Sequence, residues 1–268
     1  MAKVDIAAVS TPSLISILIP CCGMLEYTKL CVPSIVRNSR PPIELIFLDI
    51  GSLDGTAEYL DGIKAMSRIR MEVIRTNTDL GIAEVCQQAI SEARGDYLAL
   101  LNNDTIVPEG WLNQLIGITN MSPAIGLAGP MSNYAAEPQL VETVPYRIKP
   151  KRVKTPQRYG VSRTLLDVRE VEEFARDYRQ KHKGEWISVE RLGGFCLLIK
   201  REVLEKIGQT ELAKWSDLSL FDTDILSAKA KQAGFTLVCC QDLFVHHFGT
   251  RTFSQGAPAL PADERGGS

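Results

Sequence analysis

Histidine is scarce in this chain, with three in 268 residues, and two of those are adjacent at His246 and His247. Long apolar runs are missing. The longest, Leu14 to Cys22, is broken by Ser16 and Pro20 and falls far short of the roughly 20 residues that a membrane-spanning helix needs. Met1 to Pro12 lacks the apolar core of a secretory signal, so the expectation is a cytoplasmic protein with no integral membrane segment. There is also little net charge, −2, where a dedicated nucleic-acid binder shows a basic surface. The seven cysteines, at 21, 22, 31, 86, 196, 239 and 240, contain no C-x-x-C spacing, which disfavours both a disulfide framework and a structural zinc site. Most fall in apolar runs and read as small core hydrophobes.

What is present reads as an α/β protein. Short β-branched runs alternate with helix-period segments, the pattern of a mostly parallel sheet covered by helices. Strands are expected at Leu14–Ile19, Leu45–Leu48, Met71–Ile74, Tyr97–Leu101 and Ile125–Ala128, with helices near Glu26–Asn38, Thr56–Met66, Gly81–Ala93 and Gly110–Met121. Pro33 predicts a kink or early stop in the first helix. From Gln139 to Arg163, basic residues among prolines suggest an exposed, partly irregular excursion. After it come a charged helix from Val168 to Lys183, a strand Phe195–Ile199, helices at Arg201–Ile207 and Asp222–Ala233, a strand Thr236–Cys239, and a loose tail at 254–268.

In open α/β sheets, ligands bind beyond the carboxyl ends of the strands, so the polar clusters there are the candidates. The second strand runs into Asp49-Ile50-Gly51-Ser52-Leu53-Asp54-Gly55-Thr56, and the fourth into Asn102-Asn103-Asp104-Thr105. Both sequences also serve as ordinary turns and helix caps. Asp222 opens a helix, where Asp is a common N-cap, and the His246-His247 pair follows the last strand. A carboxylate and an imidazole with open positions suit Mn²⁺ or Mg²⁺ held largely by substrate phosphates.

Taken together and in this order, the clusters resemble the inverting family 2 glycosyltransferases of GT-A fold, a Rossmann-like architecture, from about Ser13 to Phe253. The resemblance is carried by Ser16-Ile17-Leu18-Ile19-Pro20, Asp49 to Thr56, Asn77 to Gly81, Gly95-Asp96-Tyr97, Leu101 to Asp104 and Gly193-Gly194-Phe195-Cys196. Asp222 to Asp224 and Phe244 to Phe253 complete it. It is nearest to bacterial members often associated with tetratricopeptide repeats, which also show motifs like Gly129-Pro130-Met131-Ser132-Asn133-Tyr134.

The resemblance implies one GT-A domain over 1–253, with a nucleotide-sugar half (13–133) and an acceptor half (134–253). A nucleotide diphosphate sugar, UDP-linked, would be the donor, contacted by Pro20, Cys21, Asp49, Gly51, Asp54, Gly81, Asn102, Asn103 and Arg251. Asp49 would meet the uracil-like base, and Asp104 would bind a divalent cation, Mn²⁺ or Mg²⁺. His247 would be a further metal ligand with His246 as the fallback, and Asp222 the general base. The acceptor would be a glycan, a lipid-linked intermediate or a protein, in bacterial polysaccharide or glycoprotein biosynthesis. No nucleic-acid partner is implied, and the basic stretch Arg147 to Arg163 is compatible with peripheral membrane contact.

Some positions depart from the family pattern. Gly23 and Ile50 stand where Asn is common, Asn102 replaces the first Asp of the metal motif, and Phe221 stands where many members carry Glu. They keep a second reading open, a nucleotide-sugar-binding scaffold without turnover. A nucleotidyltransferase would have a basic Gly-rich loop after the first strand, where this chain has Pro20-Cys21-Cys22-Gly23.

Overall fold

A computed structural model describes residues 13–40, 42–75, 82–153, 163–208 and 223–249. The elements in chain order are β1 (Ile15–Cys21), α1 (Leu25–Asn38), β2 (Ile43–Asp49), α2 (Thr56–Met66), β3 (Met71–Arg75), α3 (Ile82–Glu92), β4 (Tyr97–Leu101), β5 (Thr105–Ile106), α4 (Trp111–Thr119) and β6 (Ile125–Met131). They continue as β7 (Lys149–Val153), β8 (Arg163–Asp167), α5 (Arg169–Lys181), β9 (Trp186–Val189), β10 (Cys196–Lys200), α6 (Arg201–Ile207), α7 (Thr223–Gln232), β11 (Thr236–Phe244) and β12 (His246–His247). None of the described helices is long and apolar enough to cross a membrane.

Eight strands form the central sheet in the order β3-β2-β1-β4-β10-β6-β11-β9. β10 runs antiparallel to β4 and β6, and β9 antiparallel to β11, while the other neighbouring pairs are parallel. Every residue of β1 is buried, because helices cover both faces and the strand's alternation serves two cores. Ile15, Ile17 and Ile19 pack with Cys31 and Ile35 of α1 and Trp111 and Leu115 of α4. Leu18 points the other way, into a cluster with Val85, Cys86 and Ala89 of α3 and Leu226 of α7.

At the end of the sheet opposite the clusters, a polar network ties β1, β2 and the turn before β4 together. Ser16 Oγ donates to Glu44 Oε1 (2.5 Å), the Arg94 amide donates to the same oxygen (2.6 Å), and Arg70 meets Glu44 Oε2 at 2.6 Å. The Gly95 amide donates to Ser16 Oγ. A Cβ at Gly95 would lie 2.6 Å from the Ser16 nitrogen and 2.7 Å from the Leu14 carbonyl oxygen, so this backbone approach requires glycine.

Several expectations need correction. The early stop at Pro33 does not occur: α1 runs through it to Asn38, and Pro33 lies on the exposed side of the helix, where water can meet the carbonyl that loses its helical donor. The excursion after Ser132 is more regular than expected. Ser132 bridges Leu140, Tyr146 is buried against Phe174 and Phe244, and Lys149–Val153 pairs antiparallel with Arg163–Asp167. β11 extends to Phe244 rather than stopping at Cys239, past a register shift between Cys240 and Phe244. β5, β9 and β12 were not anticipated. Of the seven free cysteines six are buried, and Cys22 is exposed.

Candidate functional site

Along the carboxyl edge of the sheet a chain of contacts begins where β1 and β2 end side by side, Cys21 opposite Asp49. Asp49 is buried, accepts from the Ser52 amide (3.2 Å) and has the Arg75 guanidinium 3.5 Å from its other oxygen. Ser52 Oγ accepts from the Gly23 amide at 2.8 Å. Asp54 joins two helices: Oδ2 accepts from the Leu25 amide at the start of α1, and Oδ1 from the amide and hydroxyl of Thr56 at the start of α2. Burial opposes ionisation of Asp54, but the Thr56 hydroxyl and these amides together hold it below the ordinary carboxylate range. The Gly23 carbonyl accepts from Asn103 Nδ2 at 3.1 Å, and Asn103 also reaches Thr28 Oγ1 at 2.9 Å. Asn103 thus ties the loop after β1 and the start of α1 to the Asp104 loop.

Asp104 itself is fully buried. The register shift in β11 carries the chain back to the rim, where β12 pairs antiparallel with β5, His247 opposite Thr105, and the Phe248 amide donates to the Asp104 carbonyl. This pairing brings His247 Nε2 to 3.3 Å from Asp104 Oδ1 and 3.4 Å from Asn102 Nδ2. Phe195 stacks on the imidazole at 5.3 Å between centroids. On its far side, Nδ1 lies 2.9 Å from the Tyr134 carbonyl oxygen. A carbonyl only accepts, so Nδ1 carries a proton; in the neutral ring Nε2 is then the acceptor, with the Asn102 amide as its donor and the Asp104 carboxylate beside it.

His246, on the opposite side of the two-residue strand, belongs to an aromatic cluster. Its Nδ1 is 2.7 Å from the Tyr146 hydroxyl, its ring meets Phe248 edge-on, and burial, with His247 as a second cause, pushes its pKa down to about 4. Nε2 of His246 has no hydrogen-bond partner among the described residues. The thiol of Cys21 turns into the core, and burial pushes both it and Cys31 up, Cys31 to about 12; neither is poised as a nucleophile.

Of the residues expected at the site, the structure gathers Asn102, Asp104 and His247 at one point. It sets Pro20, Asp49, Gly51 and Asp54 along the adjoining rim. Gly81, Asp222 and Arg251 lie outside the described residues. Among the described residues, no three or more His, Cys, Asp or Glu side chains gather as a metal cage. The Asp104–His247 pair nevertheless fits a divalent cation, since a carboxylate oxygen and an imidazole nitrogen lie side by side and the remaining positions can be filled by phosphate oxygens and water.

Sequence reasoning passed over Asn133, Tyr134, Phe195 and Ser52 as site residues. Asn133 holds the main chain of His247 from both sides, Nδ2 donating to its carbonyl (2.9 Å) and Oδ1 accepting from its amide (3.0 Å). The signal was a polar dipeptide directly after the strand pattern beginning at Ile125.

The sequence profile of Glycosyl transferase family 2 matches residues 16–208. Glycosyltransferase GlyG of Streptococcus pneumoniae is 30% identical over 121 residues, which are 45% of this chain and 40% of that protein. Two solved structures share the backbone. The mannosyltransferase PcManGT from Pyrobaculum calidifontis, in complex with GDP-Man and Mn²⁺, superposes with a TM-score of 0.59 at 15% identity, over 89% of this chain and 57% of that one. GalNAc-T7 with UDP, GalNAc and Mn²⁺ gives 0.61 at 19% identity, over 96% and 46%. The chain therefore spans about half the length of the proteins it matches, and its fold is GT-A.

Proposed function

Because the chain belongs to glycosyl transferase family 2, we propose that it moves a sugar from a nucleotide diphosphate donor, UDP-linked, onto an acceptor hydroxyl with inversion at the anomeric carbon. The observation that carries this reading is the meeting of Asp104 and His247 at the carboxyl edge of the sheet, Nε2 at 3.3 Å from the carboxylate while Nδ1 meets the Tyr134 carbonyl. The Mn²⁺ with GDP-Man in one structural neighbour, and with UDP and GalNAc in the other, supports the same chemistry.

In this reading residues 13–133 bind the nucleotide sugar and residues 134–253 the acceptor, a glycan, a lipid-linked intermediate or a protein. Asp104 and His247 hold a divalent cation, which when bound supplies Lewis acidity to the departing diphosphate. Asp49 accepts from the base, while Ser52, Gly23 and Asn103 fix the loops beneath the diphosphate. Asp222 takes the proton of the acceptor hydroxyl as that oxygen bonds to the anomeric carbon. The bond from that carbon to the phosphate oxygen breaks on the opposite face, and the nucleotide diphosphate leaves. Arg251 adds positive charge beside it.

The test is a screen of UDP- and GDP-sugars with Mn²⁺, following nucleotide diphosphate release with and without acceptors. Asp222→Asn should lower release by about 10²–10⁴ with donor affinity retained; unchanged turnover removes the base assignment. Asp104→Ala and His247→Ala should each abolish the Mn²⁺-dependent part of UDP binding measured by calorimetry, whereas His246→Phe should leave it intact. The scaffold reading draws on Asn102, which leaves Asp104 as the one carboxylate of the Asn102-Asn103-Asp104 loop. It wins if nucleotide sugars bind with Mn²⁺ and no acceptor or water ever releases the diphosphate.

A further inference from the structure

An imidazole can serve beside a carboxylate only if its ring is turned the right way and its proton sits on the far nitrogen. In metal sites such orientation usually comes from a carbonyl or carboxylate that takes the other ring N–H. The carbonyl here is that of Tyr134, 2.9 Å from His247 Nδ1. The preceding residue, Asn133, grips the His247 main chain through both its amide and its carbonyl. The end of β6 that carries this pair is itself fixed. The Ser132 amide donates to the Gln139 carbonyl, the Val141 amide to the Ser132 carbonyl, and the Tyr134 amide to Ser132 Oγ. On the other side, Gly249 has φ +91°, and a Cβ there would come within 3.1 Å of the Tyr134 ring. Together the two neighbours fix main chain, ring rotation and tautomer of one side chain.

We propose that Asn133, together with the Tyr134 carbonyl, is the positioning device of the cation site, holding His247 with Nε2 turned to Asp104 so that a cation and the donor diphosphate can be engaged. Asn133 acts through His247 and touches neither cation nor substrate. The inference rests on the metal role given to His247 above, and the experiment separates the two.

Binding of UDP is measured by calorimetry with and without Mn²⁺ in the full chain and in Asn133→Ala, His247→Ala and the double variant. Asn133→Ala is expected to weaken Mn²⁺-dependent UDP binding by about 10- to 100-fold, the usual effect of losing an outer-shell partner. Metal-free UDP binding should not change. In the His247→Ala background the same substitution should add nothing to the loss. The ¹⁵N shifts of the His247 ring, a readout independent of the loaded site, should move from a single Nδ1–H tautomer towards a mixture. A merely structural Asn133 would weaken binding equally without Mn²⁺ and would do so again in the His247→Ala background, which overturns the proposal. So does wild-type Mn²⁺-dependent affinity in Asn133→Ala when His247→Ala has lost it. If His247→Ala itself binds like wild type, the metal role falls first and this inference with it. Should Asn133→Ala fail to fold, Gly249→Ala strains the same holder from the Tyr134 side, and a tenfold loss confined to the Mn²⁺-dependent part is the expected result. No loss there overturns the proposal.

Discussion

Asp54 shows how one carboxylate can serve two helices at once. The residues next to the starts of α1 and α2, Met24 and Gly55, are left-handed and offer no side-chain cap. Asp54 supplies that function instead, from a loop that also faces Gly23. Asp54→Ala should cost about 1–2 kcal/mol in urea unfolding at neutral pH, the scale of a lost cap. Because folding lowers the pKa of this group, its contribution is full above the ordinary carboxylate value of about 4 and is lost as pH falls through the folded value. Wild type and variant should therefore converge in stability in acid; a constant gap would show that charge plays no part. The Asp was legible as a rim residue and, through Thr56 two positions on, as an ordinary helix cap; its cap on α1 was not, since a partner 29 positions away leaves no local spacing to read.

The elements that were read correctly are those with a strong period or a continuous apolar run. α2, α6 and β4 coincide with expectation because their apolar positions settle their ends. β5 and β12 escaped because two residues carry no period, and they exist only through each other. A different limit hid β7 and β8: the basic and proline content of β7 resembles a loop, while pairing with β8 supplies the order. The network at the opposite end of the sheet gives an element-level prediction. Glu44 is 1% exposed and receives Ser16, Arg70 and the Arg94 amide, so Glu44→Ala leaves the Ser16 hydroxyl and the Arg94 amide without this acceptor and Arg70 with only Glu72 and Glu92. A loss of about 2–4 kcal/mol follows from breaking one side of a buried pair. Equilibrium unfolding that differs from wild type by less than about 1 kcal/mol would mean that water replaces the carboxylate.

Over the whole molecule, strands β1, β2 and β4 lie buried with helices on both faces, whereas β7 and β8 form a two-stranded sheet of their own. Amide exchange should therefore be slowest, near the global limit, in β1 and β4 and fast in β7 and β8, which have no second partner strand among the described residues. Equal protection throughout would contradict this. The architecture as a whole was readable because alternating strands and helices leave few topologies. The meeting of Asp104 with His247 was implied by resemblance alone, since no pattern in the sequence says that β12 returns to β5. That return also sets an order in time: during synthesis the rim from Asp49 to Asp104 leaves the ribosome well before the strand that brings the imidazole. A nascent chain can thus shape most of this rim early, but the imidazole meets the Asp104 carboxylate only once residue 247 is free to dock, so the pairing arrives late and all at once.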